Sequence, residues 1–446
     1  MSNFHITETK SHMLHIYLLA LLLDLLALAA NQLAARSSAF ANAYSHYVYR
    51  VLSLGIGSVT GLLPFSVVEL LLYATILFVL FDFVKQLCRA VRAGAGCLHP
   101  APGSQAQAVR ASQASLAHAE TATNSKGTTS GSAETQSDEP QQKHTGAACP
   151  THLLAAVARP LRHFLGHLFL ILSALLVLYV FLCSINYHRT NFSEEAGLSV
   201  TIDAHGTVYD EADLIALCNY LVTEINDTEA QLDVPDIGQT SETPKPSATW
   251  LWHAGRTGQR AMEKLGQRYH RLSGHYPFPK PILNTWILSV QQTTGVYSPF
   301  TVEANYNRDI AYYDIPFTIC HELSHLRGYM QEEEANFIGV LATIGADDLY
   351  FNYSGYVSAW VYAGNALARI DSTAFATLYS RINARTRQDL AYNNQYWQQF
   401  EGKPAEAHEK LNDTYLKIQG QATGVCSYGH VTDLMLEYFA KNGTLK

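Results

Sequence analysis

The residues best suited to chemistry lie in one stretch, PFTICHELSHLRGYMQEEEANFIGVL, from Pro316 to Leu341. It contains His321-Glu322-Leu323-Ser324-His325, then the acidic run Glu332-Glu333-Glu334 and Ala335-Asn336. Histidines at i and i+4 share a helix face, so both imidazoles can reach one metal ion. Glu322 sits about 100° round the helix from His321, close enough to hold a water bound at that metal. Ile319, Leu323 and Leu326 supply an apolar stripe at helical spacing. Pro316 suits the first turn of such a helix and Gly328 its end.

A catalytic zinc takes three protein ligands and keeps one position open. On an uninterrupted helix Glu332 would share the azimuth of His325 but lie about 10 Å further along the axis, out of reach. A stop at Gly328 and a restart near Gln331 make a tight αα-hairpin, which turns the acidic run back onto the histidines. Spacing alone leaves Glu332, Glu333 and Glu334 open as the third ligand. Glu332 is preferred because it shares a face with Ala335, Asn336 and Gly339. Ala335 and Gly339 are small enough for close helix packing, and Asn336 can hydrogen-bond a ligand from behind. The competing structural reading is a solvated acidic helix start favoured by the macrodipole. The metzincin spacing wants a histidine where this chain has Gln331.

Such a centre implies peptide-bond hydrolysis, in which Glu322 takes the proton of a zinc-activated water and passes it to the leaving amine. The oxyanion needs a donor. Tyr297, Tyr329, Tyr353 and Tyr428 are open for that role, as is His430 in the SYGH sequence.

The elements that must position these residues begin with the membrane. Of 446 residues 48% are hydrophobic and only 15% charged, and the net charge of −8 gives no reason to expect a nucleic-acid partner. Seven cysteines lack CxxC spacing, which excludes a zinc ribbon and a small disulfide framework. Three segments read as transmembrane helices, 13–30, 61–84 and 163–185. Asp24 and Glu69 lie inside the first two and read as capping or pairing groups. Residues 45–58 read as an outer or interfacial loop. The expected organisation is two spans in 1–92, a disordered linker over 93–158, a third span in 159–185 and a domain over 186–446. Lys85, Arg89, Arg92, Arg159 and Arg162 flank the linker, which puts it in the cytoplasm and the last domain outside a multi-pass cell-membrane anchor. That domain reads as mainly α, with helices over 210–226, 257–269, 358–370, 372–393, 404–418 and 431–441. Short strands are expected over 282–290 and 295–302 ahead of the histidine helix, giving an α+β class.

Six stretches carry a resemblance: residues 44–69, YPFPK (276–280), TGVYSPFTVEANYN (294–307), PFTICHELSHLRGYMQEEEANF (316–337), YSGY (353–356) and TYLKIQGQATGVCSYGHV (414–431). The chain resembles the bacterial membrane proteins of domain-of-unknown-function family 3810, over all but the 93–149 insertion. The resemblance implies a multi-span anchor with an exported zincin-like domain, and no known substrate. More distantly, E-x-x-A-N after HExxH is similar to the gluzincin element whose first glutamate is the metal ligand, which here is Glu332, with a shorter gap than gluzincins have. TVEANYN (301–307) is expected to be the edge strand along which an extended peptide would lie.

The expectation is therefore a membrane-anchored zinc metallopeptidase acting on a peptide or protein substrate beside the lipid bilayer. The alternative is a non-catalytic sensor or regulator with a structural zinc.

Overall fold

Residues 2–98, 150–198, 209–233, 235, 237–419 and 430–446 are described by the computed structural model. Most of the expected linker (99–149) and Tyr428 lie outside the described residues. The described chain is mainly helical, with one three-stranded sheet. It divides into two compact units, residues 1–73 with 173–446, and residues 74–172.

The N-terminal part runs through α1 (Ser2–Arg36), α2 (Ser38–Tyr44), a π-helical stretch (Ser45–Tyr49) and α3 (Arg50–Thr60), then α4 (Val67–Leu98) and α5 (Pro150–Leu182). Among the described residues three segments are long and apolar enough to cross a membrane: Leu14–Arg36, Val67–Ala95 and Ala158–His188. The second starts later than the expected Gly61, because Pro64 sits in a turn and the hydroxyl of Ser66 then accepts from the Glu69 N–H to open α4. Within the 74–172 unit, Asp82 accepts from Gln86 and pairs with His167 at 2.9 Å, while Phe83 packs edge-on against Phe164.

Residues 38–60 are helical rather than loop, and their amphipathicity is inverted. Ser45, Tyr49, Ser53, Gly57 and Thr60 form the buried stripe, whereas Val51, Val59 and Leu62 are exposed. Apart from Tyr49 the inner face is small and polar, and with an apolar outer face this suits an element bathed in lipid.

The remaining elements are α6 (Phe192–Glu195), α7 (Glu211–Gln231), α8 (Ala248–Arg268), β1 (Lys280–Pro281), α9 (Trp286–Ser289), β2 (Gly295–Ser298) and β3 (Glu303–Tyr306). After them come α10 (Asp314–His325), α11 (Glu332–Ile344), α12 (Leu349–Ile370), α13 (Ser372–Arg381), α14 (Ala384–Gln398), α15 (Lys403–Ile418) and α16 (His430–Asn442). An Asp210/Asp213 capping box starts α7. Asp348 caps α12, which is buried over most of its circumference and packs on α7, α10 and α11. At Gly258 a Cβ would stand 2.4 Å from the Ile319 side chain, so α8 crosses α10 too closely for any larger residue.

Four expectations need correction. Residues 282–290 are not a strand but contain α9, because the N–H groups of Leu283 and Asn284 donate to the Glu69 carboxylate instead of to a ladder. The helix expected over 372–393 is broken at Ile382–Asn383, where Asn226 accepts from the Asn383 N–H and donates to the Arg381 carbonyl. The sheet order is β1-β3-β2, so β3, within 301–307, is the buried centre and β2 is an edge. Strand β2 also ends at Ser298, short of the expected 302.

Strand β3 is tied to the start of α4. The Glu303 carboxylate accepts from the N–H groups of Val67 and Val68, at the N-terminus of α4, and pairs with Lys280, which also donates to the Thr60 carbonyl. Both charges are almost fully buried, and removing one partner strands the other. Lys280→Met is expected to cost about 3–5 kcal/mol in unfolding free energy. Denaturant titration of the detergent-solubilised chain checks this, and a loss below about 1 kcal/mol, the range of a surface pair, contradicts it.

Candidate metal centre

The α10 helix exists because Ile315, Ile319 and Leu323 bury one flank while Phe317 N–H is capped by the Ser354 hydroxyl. It ends at His325, and Gly328 then adopts φ +81°, where a Cβ would lie 3.0 Å from the Arg189 guanidinium. Gln331 is the N-cap residue of α11, so Glu332 is its first residue and faces back toward α10. Close packing makes this reach possible. A Cβ on Gly339 would stand 3.1 Å from the Phe317 ring and 3.4 Å from the His321 nitrogen.

The result is a convergent set of three donors. The Nε2 atoms of His321 and His325 are 3.2 Å apart, and Glu332 lies 3.3 Å from the first and 3.9 Å from the second. Atoms about 2.0–2.1 Å from a tetrahedral zinc stand about 3.3 Å from one another, so the donor set fits such an ion closely. Among the described residues this is the one group of three His, Cys, Asp or Glu side chains near enough to share a metal. The Nδ1–H of His325 donates to the Tyr329 carbonyl at 2.7 Å, which fixes the tautomer and leaves the Nε2 lone pair free to ligate. Asn336 also acts to raise the His321 pKa, while its Nδ2 has no partner among the described residues.

Electrostatics follow from burial. Desolvation pushes His325 down to about 4, keeping its imidazole neutral. Desolvation also acts to lower His321, but its hydrogen bond to Glu332 and the nearby Glu322 and Glu332 charges outweigh it and raise the pKa. Burial would raise Glu332, yet the two imidazoles hold it below its ordinary value. Glu322 is pushed up to about 8 by burial, with Glu332 adding to the rise and His321 opposing it. Its Oε2 has no partner among the described residues. Gly295 on edge strand β2 makes room for it, since a Cβ there would stand 2.5 Å from Oε1.

The other acids in the run point elsewhere. Glu334 is buried and accepts from the Ser193 N–H and hydroxyl, so it ties α11 to α6 and burial pushes it up to about 7. Glu333 is no member of the donor set, and its charge bears on His430 and Glu334. His430 pairs with Asp433 at 3.4 Å and does not line the cleft around the centre. Of the proposed tyrosines, Tyr353 is committed to Asp389 and Thr386, and the Tyr329 hydroxyl to Glu195. Tyr297 does reach the site, with its ring 5.9 Å from that of His325.

That cleft has a volume of about 1140 Å³ and is open to solvent. Several of its residues escaped the sequence reading. Tyr187, at the end of the third apolar segment, and Tyr179 within it donate to Tyr415 of α15 and form one wall. Tyr49 bonds the Tyr297 hydroxyl and donates to the His325 carbonyl, so the segment before α3 holds the end of α10. The four-residue spacing of Ser45, Tyr49, Ser53 and Gly57 was the signal for that buried face.

Residues 152–436 match the family described as "Protein of unknown function (DUF3810)". The chain belongs to this family. The match begins at the third apolar helix and takes in the whole His321/His325/Glu332 set, while the first two apolar helices lie before it. No curated protein and no solved structure matches the chain.

Zinc measured in the purified chain is expected near one equivalent, and lost in His321→Ala and Glu332→Ala but kept in Glu333→Ala and Glu334→Ala. Asn336→Ala is expected to weaken it by about 10–100-fold. A metal displaces the His321 proton, so apparent affinity falls as pH drops through that raised pKa, by about tenfold per pH unit for one proton. Chelator competition at several pH values measures the slope, and a flat profile would remove His321 from the ligand set.

Proposed function

We propose that the chain is a membrane-anchored zinc metallopeptidase with a zincin-like site, hydrolysing peptide bonds in proteins or peptides beside the membrane. The observation that carries this reading is the pairing of a zinc-sized His321/His325/Glu332 donor set with an unpartnered Glu322 carboxylate in one open cleft.

Zinc bound there supplies a Lewis acid that makes water nucleophilic near neutral pH. The chain's own residues do the rest. Glu322 holds and then takes the proton of the attacking water through its free Oε2, and delivers it to the leaving amine. Its pKa of about 8 without metal falls when a dication sits beside it, toward the neutral range where proton exchange is efficient. Burial excludes competing solvent from the same point. Strand β2 lines the cleft and is free along its outer edge, so it can hold an extended peptide by backbone hydrogen bonds.

Two features support a substrate close to the bilayer. Tyr179, Cys183 and Tyr187 of the third apolar segment line the cleft, and the lipid-suited face of residues 45–62 lies on the segment that bonds α10. Basic residues flanking the second and third apolar helices favour an extracytoplasmic site by the positive-inside rule.

One observation favours the sensor alternative. The start of α4 is hydrogen-bonded to β3, so the first turn of an apolar helix is joined to the sheet beside the site. Hydrolysis of a quenched-fluorescent peptide pool by the zinc-loaded chain separates the two. Glu322→Gln is expected to lower kcat/KM by about 10²–10⁴-fold with zinc content unchanged. No cleavage by a wild-type chain holding stoichiometric zinc would favour the sensor.

A further inference from the structure

The face of α10 that carries His321 continues toward the helix start, where the metal chemistry makes no use of it. Asp314 lies seven residues before His321, hence at nearly the same azimuth and about 10 Å away along the axis. Thr318 lies between them. All three line the cleft, together with Ser358 of α12.

An aspartate in a first helical turn is ordinarily explained as a partner of the free N–H groups. That explanation is already used up here. The Asp314 N–H donates to the Ala311 carbonyl, the Ile315 N–H to Tyr312, and the Phe317 N–H to the Ser354 hydroxyl, while Pro316 has none to give. The Asp314 carboxylate itself accepts no hydrogen bond among the described residues; burial pushes its pKa up to about 7, against the opposing charge of His321, so a cation beside it would favour its ionised form. Thr318 Oγ1 and Ser358 Oγ are also without partners among the described residues, although the two residues are 1% and 4% exposed. Hydroxyls inside helices commonly bond the carbonyl one turn back, and neither does so. Three oxygen acceptors therefore line one wall of the cleft with nothing to accept from.

The surroundings fit a positively charged group. Phe317, Val361 and Tyr362 line the same region, with the two rings 6.1 Å apart, and give an apolar flank for a side-chain stem. Glu401, Glu406 and Glu409 line the cleft as well, and no lysine or arginine does so among the described residues. An ammonium group has three donors and no acceptor, which is the complement of this wall.

We propose that Asp314, Thr318 and Ser358 form a substrate subsite that takes a cationic group of the peptide, an ammonium or guanidinium, about two helical turns from the scissile bond. The proposal rests on the peptidase reading for its substrate, and names what that substrate must carry. Asp314 supplies the charge. Thr318 and Ser358 supply the flanking acceptors that select a group with several donors over an apolar isostere.

Binding rather than cleavage tests it. Zinc-loaded full-length protein carrying Glu322→Gln is titrated with labelled peptides in which Lys, Arg, norleucine or Glu occupies each position in turn, with free or acetylated N-termini. The expected result is 10–100-fold tighter binding of cationic peptides than of their norleucine counterparts, about 1.4–2.8 kcal/mol. That preference is expected to vanish in Asp314→Asn and to shrink several-fold in the isosteric Thr318→Val, with zinc content unchanged in both. Loss of the preference on acetylation identifies the N-terminal amine as the group, and loss on Lys-to-norleucine exchange identifies the side chain. Equal binding of cationic and norleucine peptides, or a preference untouched by both substitutions, overturns the subsite. If Asp314→Asn does not fold, Thr318→Val alone decides. The peptidase reading fails separately, when the zinc-loaded wild type cleaves none of the peptides it binds.

Discussion

Two imidazoles and two carboxylates share one poorly solvated point between α10 and α11, where any unpaired charge is costly. Burial drives His325 down to about 4 and Glu322 up to about 8, while Glu332 and His321 can keep their charges only by leaning on each other. A dication relieves this set. Held there, it would take the lone pairs of neutral imidazoles, neutralise Glu332 and favour the ionised form of Glu322. The need to gather these four groups in one place explains the hairpin, the glycines around it and the rigid backing behind it.

The hairpin turn must also satisfy the carbonyls that α10 leaves open at its C-terminus. The His325 carbonyl receives the Gly328 N–H and the Tyr49 hydroxyl, and the latter also reaches the Leu326 carbonyl at 3.4 Å. The Arg327 carbonyl receives the Arg189 guanidinium, which lies 4.2 Å above the Tyr329 ring. Arg327 itself turns back onto Tyr276 and donates to the His275 carbonyl. Two of these supports come from outside the hairpin, Tyr49 from before α3 and Arg189 from just after the third apolar segment. Segments flanking the apolar helices are thus structural members of this cluster.

How much of this was legible in the sequence depends on how local each cause is. The histidine spacing, Gly328 and the small residues Ala335 and Gly339 act within one hairpin, so its geometry could be read directly. Even the choice among the three glutamates has a local basis, because Glu334 is about 200° round the helix from Glu332 and must face away from the histidines. The failures have distant causes. Glu69 removes the donors that a strand at 283–284 would need, and Asn226 takes both broken ends at 381–383. The stripe at 45–60 was misread because its buried face is polar and small, the reverse of what a water-soluble helix presents. Asp314 was overlooked for another reason. An acid in a first turn already has an ordinary explanation, and only the completed hydrogen-bond accounting removes it.

The sheet links the start of α4 to the surroundings of Glu322. Glu303 holds the start of α4 and is also the register partner of Ser298, while Val296 stands opposite Asn305 and Gly295 opposite Tyr306. Fixing Glu303 to the apolar helix therefore fixes which residue of β2 faces Glu322. A slip of one residue would exchange the two faces of the strand. It would bring the branched side chain of Val296 or Thr294 toward the place that Gly295 leaves open, where even a single Cβ comes within 2.5 Å of the Glu322 oxygen. Glu322 would then have to leave its position beside His321. The buried Lys280–Glu303 pair is costly to desolvate and adds little net stability for its burial. Its value lies in register: it ties the start of α4, the central strand and the edge strand to one alignment, in which Gly295 leaves room for Glu322.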